Sequence, residues 1–409
     1  MAKSATQQAR GEISFGRLMG TSIAARLLVD THSQIFNPFL SLFAAGLGTD
    51  VVTMGQLVSL RNLMGLCAPF LGVLADRQGY RRVLRLSLLL GAAGSFLIAG
   101  SYHLSMAVVG MVLSGLGIAG FIPTLQAYLS ARLPYARRAR GMGMLEYSWA
   151  LTGIVSLSLI GWLIQEWGWR APFWLLGVGM LAMWTVFTTL PETTGSHGHG
   201  GGRGAAVPAR VGIGQRIRAF FDLGGNARSA YAAILATALT YYGALQVMIT
   251  HGTWLNLEYG LGPAQLGTVA LLLGFFDLTA SVSVSLFTDA IGKRRSVILG
   301  TSGTLLGYLA LPWLNVGLVP AILGIAVARG AFEFALVSSF PLLSEQAPDR
   351  RARVMTLNTA ISLVGATLAS ASGPWIYTAH GVAGLAAVSA LAACGALVLH
   401  LTLVRETSP

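Results

Sequence analysis

The sequence predicts an all-α membrane protein, with twelve transmembrane helices in two pseudo-symmetric six-helix bundles. Three observations predict it: an apolar composition, basic residues confined to alternate loops, and motifs repeated at a fixed offset. Of 409 residues, 54% are hydrophobic and only 10% charged, and the mean hydropathy is +0.66. A soluble domain carries roughly 25% charged residues, so lipid is the main solvent here. A hydrocarbon core takes roughly 20 apolar residues per helix, which leaves room for about twelve spans and short loops but no soluble enzyme domain.

Apolar runs of helical length place spans near 17–46, 54–76, 83–101, 105–130, 142–164, 172–190, 230–257, 263–288, 296–315, 318–343, 355–378 and 382–404. Unbroken runs such as Val83 to Gly100 exclude barrel strands of alternating polarity. The segment Met1 to Arg17 is polar, with no short apolar run ending in a cleavage site, so the first span is expected to insert uncleaved. Within that span Asn37-Pro38 marks a kink, because proline removes a backbone hydrogen bond. The longest loop divides the chain into a bundle at 1–190, a linker at 191–228 and a second bundle at 229–409. Its Gly-Ser-His-Gly-His-Gly run reads as flexible. His197 and His199 lack the further ligands of a closed metal site. Gln215 to Phe221 alternates basic and apolar residues, the pattern of a short interfacial helix.

A net charge of +12 would suggest nucleic acid as the partner of a soluble protein. The placement excludes that. Lys3, Arg77, Arg81, Arg82, Arg132, Arg137, Arg210, Lys293, Arg350 and their neighbours all fall on one side, whereas the opposite loops hold only Arg170. Basic loops stay in the cytoplasm, so both termini are expected there, in a cell (inner) membrane whose anionic lipids face the basic surface. Cys67 and Cys394 sit in apolar stretches far apart, and neither a disulfide nor a metal site is expected.

Asp76-Arg77-Gln78-Gly79-Tyr80-Arg81-Arg82 follows the second span, and Asp289-Ala290-Ile291-Gly292-Lys293-Arg294-Arg295 the eighth, displaced by 213. Arg137-Arg138-Ala139-Arg140 and Arg350-Arg351-Ala352-Arg353 keep the same displacement, as do Trp162 and Trp375. Such spacing points to parallel repeats about an axis along the membrane normal.

Gly72-Val73-Leu74-Ala75-Asp76-Arg77-Gln78-Gly79-Tyr80-Arg81-Arg82 resembles the loop motif G-x-x-x-D-R-x-G-R-R of the major facilitator superfamily, and the resemblance covers nearly the whole chain. Gly72 suits close helix approach, Gly79 a tight reversal, and Asp76 a helix N-terminus. The resemblance implies that this helix is the eleventh span. It also implies a cytoplasmic gate when the transporter faces outward, with Arg137, Arg138 or Arg140 as ionic neighbours. The second copy departs from the motif at Ser285 and Ala290. Two further departures are Met111 four residues before Gly115, where many members have Arg, and a fifth span without the Gly-Pro pair of the antiporters. Gly373-Pro374 stands in the eleventh span instead.

Ionisable side chains at membrane depth cost roughly 2.5–3.5 kcal/mol even on permissive scales, so they usually face a partner or a cavity. Arg26 and Asp30 share one helical face, with His32 nearby; Arg329 and Glu333 repeat the spacing in the tenth span. Arg61, Glu146 and Asp277 complete the set. The resemblance implies that the first, fourth, seventh and tenth spans line a central cavity. Asp30 and Glu333 are then the leading proton carriers, followed by Asp277 and Glu146, with the arginines tuning them or binding an anionic group. A static interhelical ion pair is the structural alternative. Tyr241, Tyr242, Gln246 and His251 run along the seventh span as a cavity wall would. The expected function is proton-coupled efflux of a small organic molecule by a monomer; the alternative is an importer or exchanger of an organic anion. No protease, hydrolase or P-loop motif occurs, so neither an enzyme, a cofactor nor direct ATP drive is expected.

Overall fold

A computed structural model describes residues 14–193, 221–224, 226–347 and 350–406, except the side chains of residues 135, 136, 139, 140, 285, 289 and 352. His197, His199, most of the expected interfacial helix, and the side chains of Arg140 and Asp289 therefore lie outside the described residues.

The described residues form helices and no strand. Among the described residues, ten helices are long and apolar enough to cross a membrane. The first expected span is additional to these, and is broken into Phe15–Gln34 and Phe36–Gly46. Its second piece holds Pro38, whose missing N–H leaves the carbonyl of Gln34 without its helical partner, and Phe39 leaves helical geometry at φ −117°, ψ 16°. The last two expected spans are one helix, Arg351–Thr402, broken where Gly381 takes φ 62°. The twelve expected spans are thus all accounted for.

The fifth span replaces the absent proline by another irregularity. Its helix Tyr135–Leu151 passes through a π-helical segment, Thr152–Ser156, into Leu157–Trp167. Such bulges widen a helix locally and often mark functional positions.

Contacts divide the chain into two units, Met1–Ser196 with Leu255–Phe275, and His197–Trp254 with Phe276–Pro409. In the first, Leu84, Leu88, Phe121, Leu125 and Leu129 form the core with Val29 and Met180. Its third span, Tyr80–Ala99, and fourth, Leu104–Arg132, pack through small residues: a Cβ at Gly94 would collide with the backbone of Gly110 and Ser114, and one at Gly117 with that of Ser87 and Gly91. Close approach of this kind drives helix association where lipid supplies no hydrophobic force. The close approach expected at Gly72 is corrected: a Cβ there meets nothing within 4 Å. In the second unit Ile234, Val297, Leu342, Val354, Leu357 and Val404 form the core. Large apolar side chains such as Phe70, Leu286, Trp313 and Leu391 are exposed, as surfaces solvated by acyl chains are.

Candidate functional site

The first unit holds an ion cluster inside its spans. Arg26 and Asp30 stand one turn apart, and the Arg26 Nε donates to both Asp30 oxygens at 2.8 and 2.9 Å. Asp30 is fully buried. The Ser148 hydroxyl, from the fifth span, donates to Asp30 Oδ2 at 2.6 Å. Glu146, half exposed, approaches Arg26 at 3.7 Å and accepts from the Gln126 amide at 3.0 Å. One guanidinium therefore serves two carboxylates, one held tightly and one loosely.

The second unit repeats that balance with different geometry. Arg329 was expected to pair with Glu333 along its own helix, Leu318–Glu345. It turns instead to Asp277 of the eighth span, Pro263–Ile291, donating from Nε at 2.7 and 2.9 Å and from Nη2 at 2.6 Å. The reason is geometric: a neighbouring helix offers a carboxylate square to the guanidinium fork, and two parallel bonds outweigh one oblique contact along the same helix. Glu333 is left with the Ser281 hydroxyl at 3.3 Å. Beside this cluster lies a small cleft. Ala244, Val247, Met248, Ile325, Ala328 and Phe332 give it apolar walls, and Arg329, His251 and Tyr308 the polar groups. The Nδ1 of His251 donates to the Met248 carbonyl at 2.6 Å, which fixes the ring on the helix Ala227–Tyr259. On the same helix Tyr241 packs edge-on against Phe332, Tyr242 shares a 3.2 Å hydrogen bond with Ser372, and the buried amide of Gln246 has no hydrogen-bond partner among the described residues.

Arg61 is placed differently from the other two arginines. It is buried, and its Nη1 and Nη2 donate to the carbonyls of His32 and Ser33 at 3.0 and 2.9 Å. These carbonyls belong to the last turn before the first span breaks, where helical partners run out. The guanidinium also lies 4.7 Å from the centre of the Phe36 ring. His32, fully buried against Phe173, has no hydrogen bond at either ring nitrogen among the described residues.

The repeated loops have matching internal contacts. Gly79 and Gly292 both adopt φ near +95°, at 99° and 94°, so the expected reversal is present in both copies. Arg81 donates to Glu192 at 2.7 Å and to the carbonyls of Thr188 and Leu190 at 3.3 and 2.7 Å. Its repeat partner Arg294 donates to the carbonyls of His400, Leu401 and Val404 at 3.0, 3.0 and 2.9 Å. Each arginine thus caps the C-terminal end of the last helix of its own half, where cations are favoured. Arg137 lies over the ring of Phe15, at the start of the first span, and Arg350 pairs with Asp222 at 2.7 Å, ahead of the seventh. Arg353 reaches the Asp222 carbonyl at 3.4 Å. Hydrogen bonding from Arg350 holds the Asp222 carboxyl below the usual carboxylate range. Asp76 is exposed and accepts from Tyr80 Oη at 3.0 Å, and Arg77, Arg82 and Arg295 are exposed. Sequence reasoning missed Glu192, Ser148 and Ser281; a lone Glu just past a span, opposite a basic loop, was a usable signal for the first.

The family model described as Major Facilitator Superfamily matches residues 23–327 and 233–409. An uncharacterized MFS-type transporter of Bacillus subtilis (strain 168), YwfA, is 26% identical over 365 residues, 88% of this chain and 85% of that protein. A probable 4-methylmuconolactone transporter of Cupriavidus pinatubonensis is 25% identical over 347 residues, 82% and 77% of the two chains. Among solved structures, a D-xylose–proton symporter aligns with a TM-score of 0.76 at 15% identity, covering 95% of this chain and 98% of that one. A bacterial homolog of the human lysosomal transporter Spinster aligns at 0.77 and 14%, covering 97% and 100%.

Proposed function

The chain belongs to the major facilitator superfamily, and we propose that within it the protein is a proton-coupled exporter of small, partly apolar organic molecules. Membership makes it a multi-pass secondary transporter with a small-molecule substrate. The observation that carries the finer reading is the charge balance of the two clusters: Arg26 faces Asp30 and Glu146, and Arg329 contacts Asp277 one turn from Glu333.

With every group ionised each cluster carries one negative charge too many for membrane depth, and a proton removes it at low cost. Glu333, with one neutral hydroxyl as its donor, is the foremost carrier; Asp30 is its counterpart, and Glu146 and Asp277 are the second carboxylates. The apolar residues around the small cleft beside Arg329 supply the kind of surface a partly apolar molecule would meet once the path opens. An inward proton gradient, exchanged against such a molecule, drives export. The organic-anion reading has less support, because Arg26 and Arg329 are held by carboxylates and Arg61 by carbonyls.

The test is transport into proteoliposomes under an imposed pH gradient, with ethidium and a panel of neutral amphiphiles and organic carboxylates as probes. Glu333→Gln and Asp30→Asn should each lose the pH-driven component. Wild-type coupling in both variants would remove the assignment, and pH-independent movement of carboxylates alone would favour the anion reading.

A further inference from the structure

Arg85 lies about one turn inside the third span, and its guanidinium stands 4.4 Å over the ring of Trp184 on the sixth span, Ala171–Thr189. Its Nε is buried and has no hydrogen-bond partner among the described residues. Arg82, one turn earlier on the same helix face, is exposed. Among the described residues no carboxylate pairs with either arginine; Glu192, at this end of the unit, is paired with Arg81. Continuing along that face, Leu86 and Leu89 are 40% and 42% exposed. Two uncompensated cations, an aromatic wall and an apolar strip thus follow one another from the helix end inward.

We propose that this surface is a binding site for one anionic phospholipid. Its phosphate is held by Arg82 and Arg85, and an acyl chain lies along Leu86 and Leu89 beside Trp184. The chemistry of each part is matched. A guanidinium presents a planar fork of donors suited to phosphate oxygens, and stacking on Trp184 orients that fork without neutralising it. Tryptophan rings settle at headgroup level, and the exposed leucines need hydrocarbon rather than water. The internal repeat supplies a contrast. At a displacement of 213, Arg295 keeps the place of Arg82, but Ile298 and Leu397 replace Arg85 and Trp184. The pair is therefore an addition to the first half and not a consequence of the repeated loop motif.

The experiment is native mass spectrometry of the full chain in detergent. It is titrated with dioleoylphosphatidylglycerol, with dioleoylphosphatidylcholine, and with the former in the presence of inorganic phosphate. The wild type should retain phosphatidylglycerol in preference to phosphatidylcholine. Arg85→Ile with Trp184→Leu, which installs the second half's residues, should weaken that retention about fivefold, the equivalent of about 1 kcal/mol for one basic group at a membrane surface. The surface variant Arg82→Gln should weaken it similarly, and serves should the double variant fail to fold. Equal retention of the two lipids by the wild type, unchanged retention in a folded variant, or complete displacement by inorganic phosphate at equal concentration would overturn the proposal, the last by making it a simple phosphate site.

Discussion

Arg329 grips Asp277, 52 positions away in sequence, with bonds of 2.7, 2.9 and 2.6 Å, while Glu333 stands one turn along its own helix. Removing one partner of a buried pair leaves an uncompensated charge and costs roughly 3–5 kcal/mol. The two removals are not equivalent here. Arg329→Met strands two carboxylates, whereas Asp277→Asn leaves an arginine with Glu333 at i,i+4 on the same face. Arg329→Met is expected to lower resistance to unfolding in mixed detergent micelles by the full amount, and Asp277→Asn by clearly less. Equal losses would mean that Glu333 does not take over the vacated guanidinium.

The repeated reversals separate backbone strain from packing. Gly79 and Gly292 share φ values of 99° and 94°, a region that costs a side chain of order 1–3 kcal/mol. A Cβ at Gly79 would in addition run into the Glu192 carboxylate, while one at Gly292 meets nothing within 4 Å. Both alanine variants should be destabilised, Gly79→Ala the more, and the difference should shrink when Gly79→Ala is combined with Glu192→Ala. An unchanged difference in the combined variant would exclude the contact as its source.

Asp50 gives a pH dependence outside the spans. It is the N-cap of the second span, accepting from the Thr53 backbone N–H at 2.8 Å and the Thr53 hydroxyl at 2.7 Å. These bonds hold its carboxyl below the usual carboxylate range. Because the folded value is the depressed one, the cap's contribution is complete above the unfolded value of about 3.9 and is lost as pH falls through the folded value. Asp50→Ala should cost about 1 kcal/mol at pH 7, and the gap to wild type should narrow only below about pH 4. A gap that closes between pH 5 and 7 would contradict the capping role.

Several of these relationships were legible in the sequence, and the reason differs from residue to residue. The spans follow from apolar length, and the reversals at Gly79 and Gly292 from a repeated motif around a residue able to take positive φ. Spacing identified the Arg26–Asp30 pair correctly, because both groups sit on one helix. The same logic failed at Arg329, since i,i+4 spacing describes neighbours along a helix and cannot see a better carboxylate on the next one. The π-helical segment in the fifth span had only a weak signature, since Thr-Gly-Ile-Val-Ser at 152–156 is compatible with an ordinary helix as well as with an irregular turn. The repeated motif suggests a gate role for Arg81 and Arg294, whereas their contacts to helix-end carbonyls depend on where the chain returns in space.

The break in the first span gives Arg61 a role that its place in the sequence does not show. Pro38 announces the kink, but sequence alone does not say which donor satisfies the carbonyls beside it. In the folded protein that donor is Arg61, bonded to His32 and Ser33 and stacked on Phe36. A buried carbonyl left unpaired costs about 1–3 kcal/mol, and a lysine, with a point charge in place of a planar fork, cannot span two successive carbonyls as well. Arg61→Met and Arg61→Lys are therefore both expected to lower thermal stability, Lys less than Met. Both should raise hydrogen exchange at Ile35 to Phe39, where the backbone is already irregular. Should Arg61→Lys instead keep wild-type stability and local exchange while losing binding of carboxylate probes, Arg61 would be a ligand-binding cation, and the brace assigned to it would be wrong.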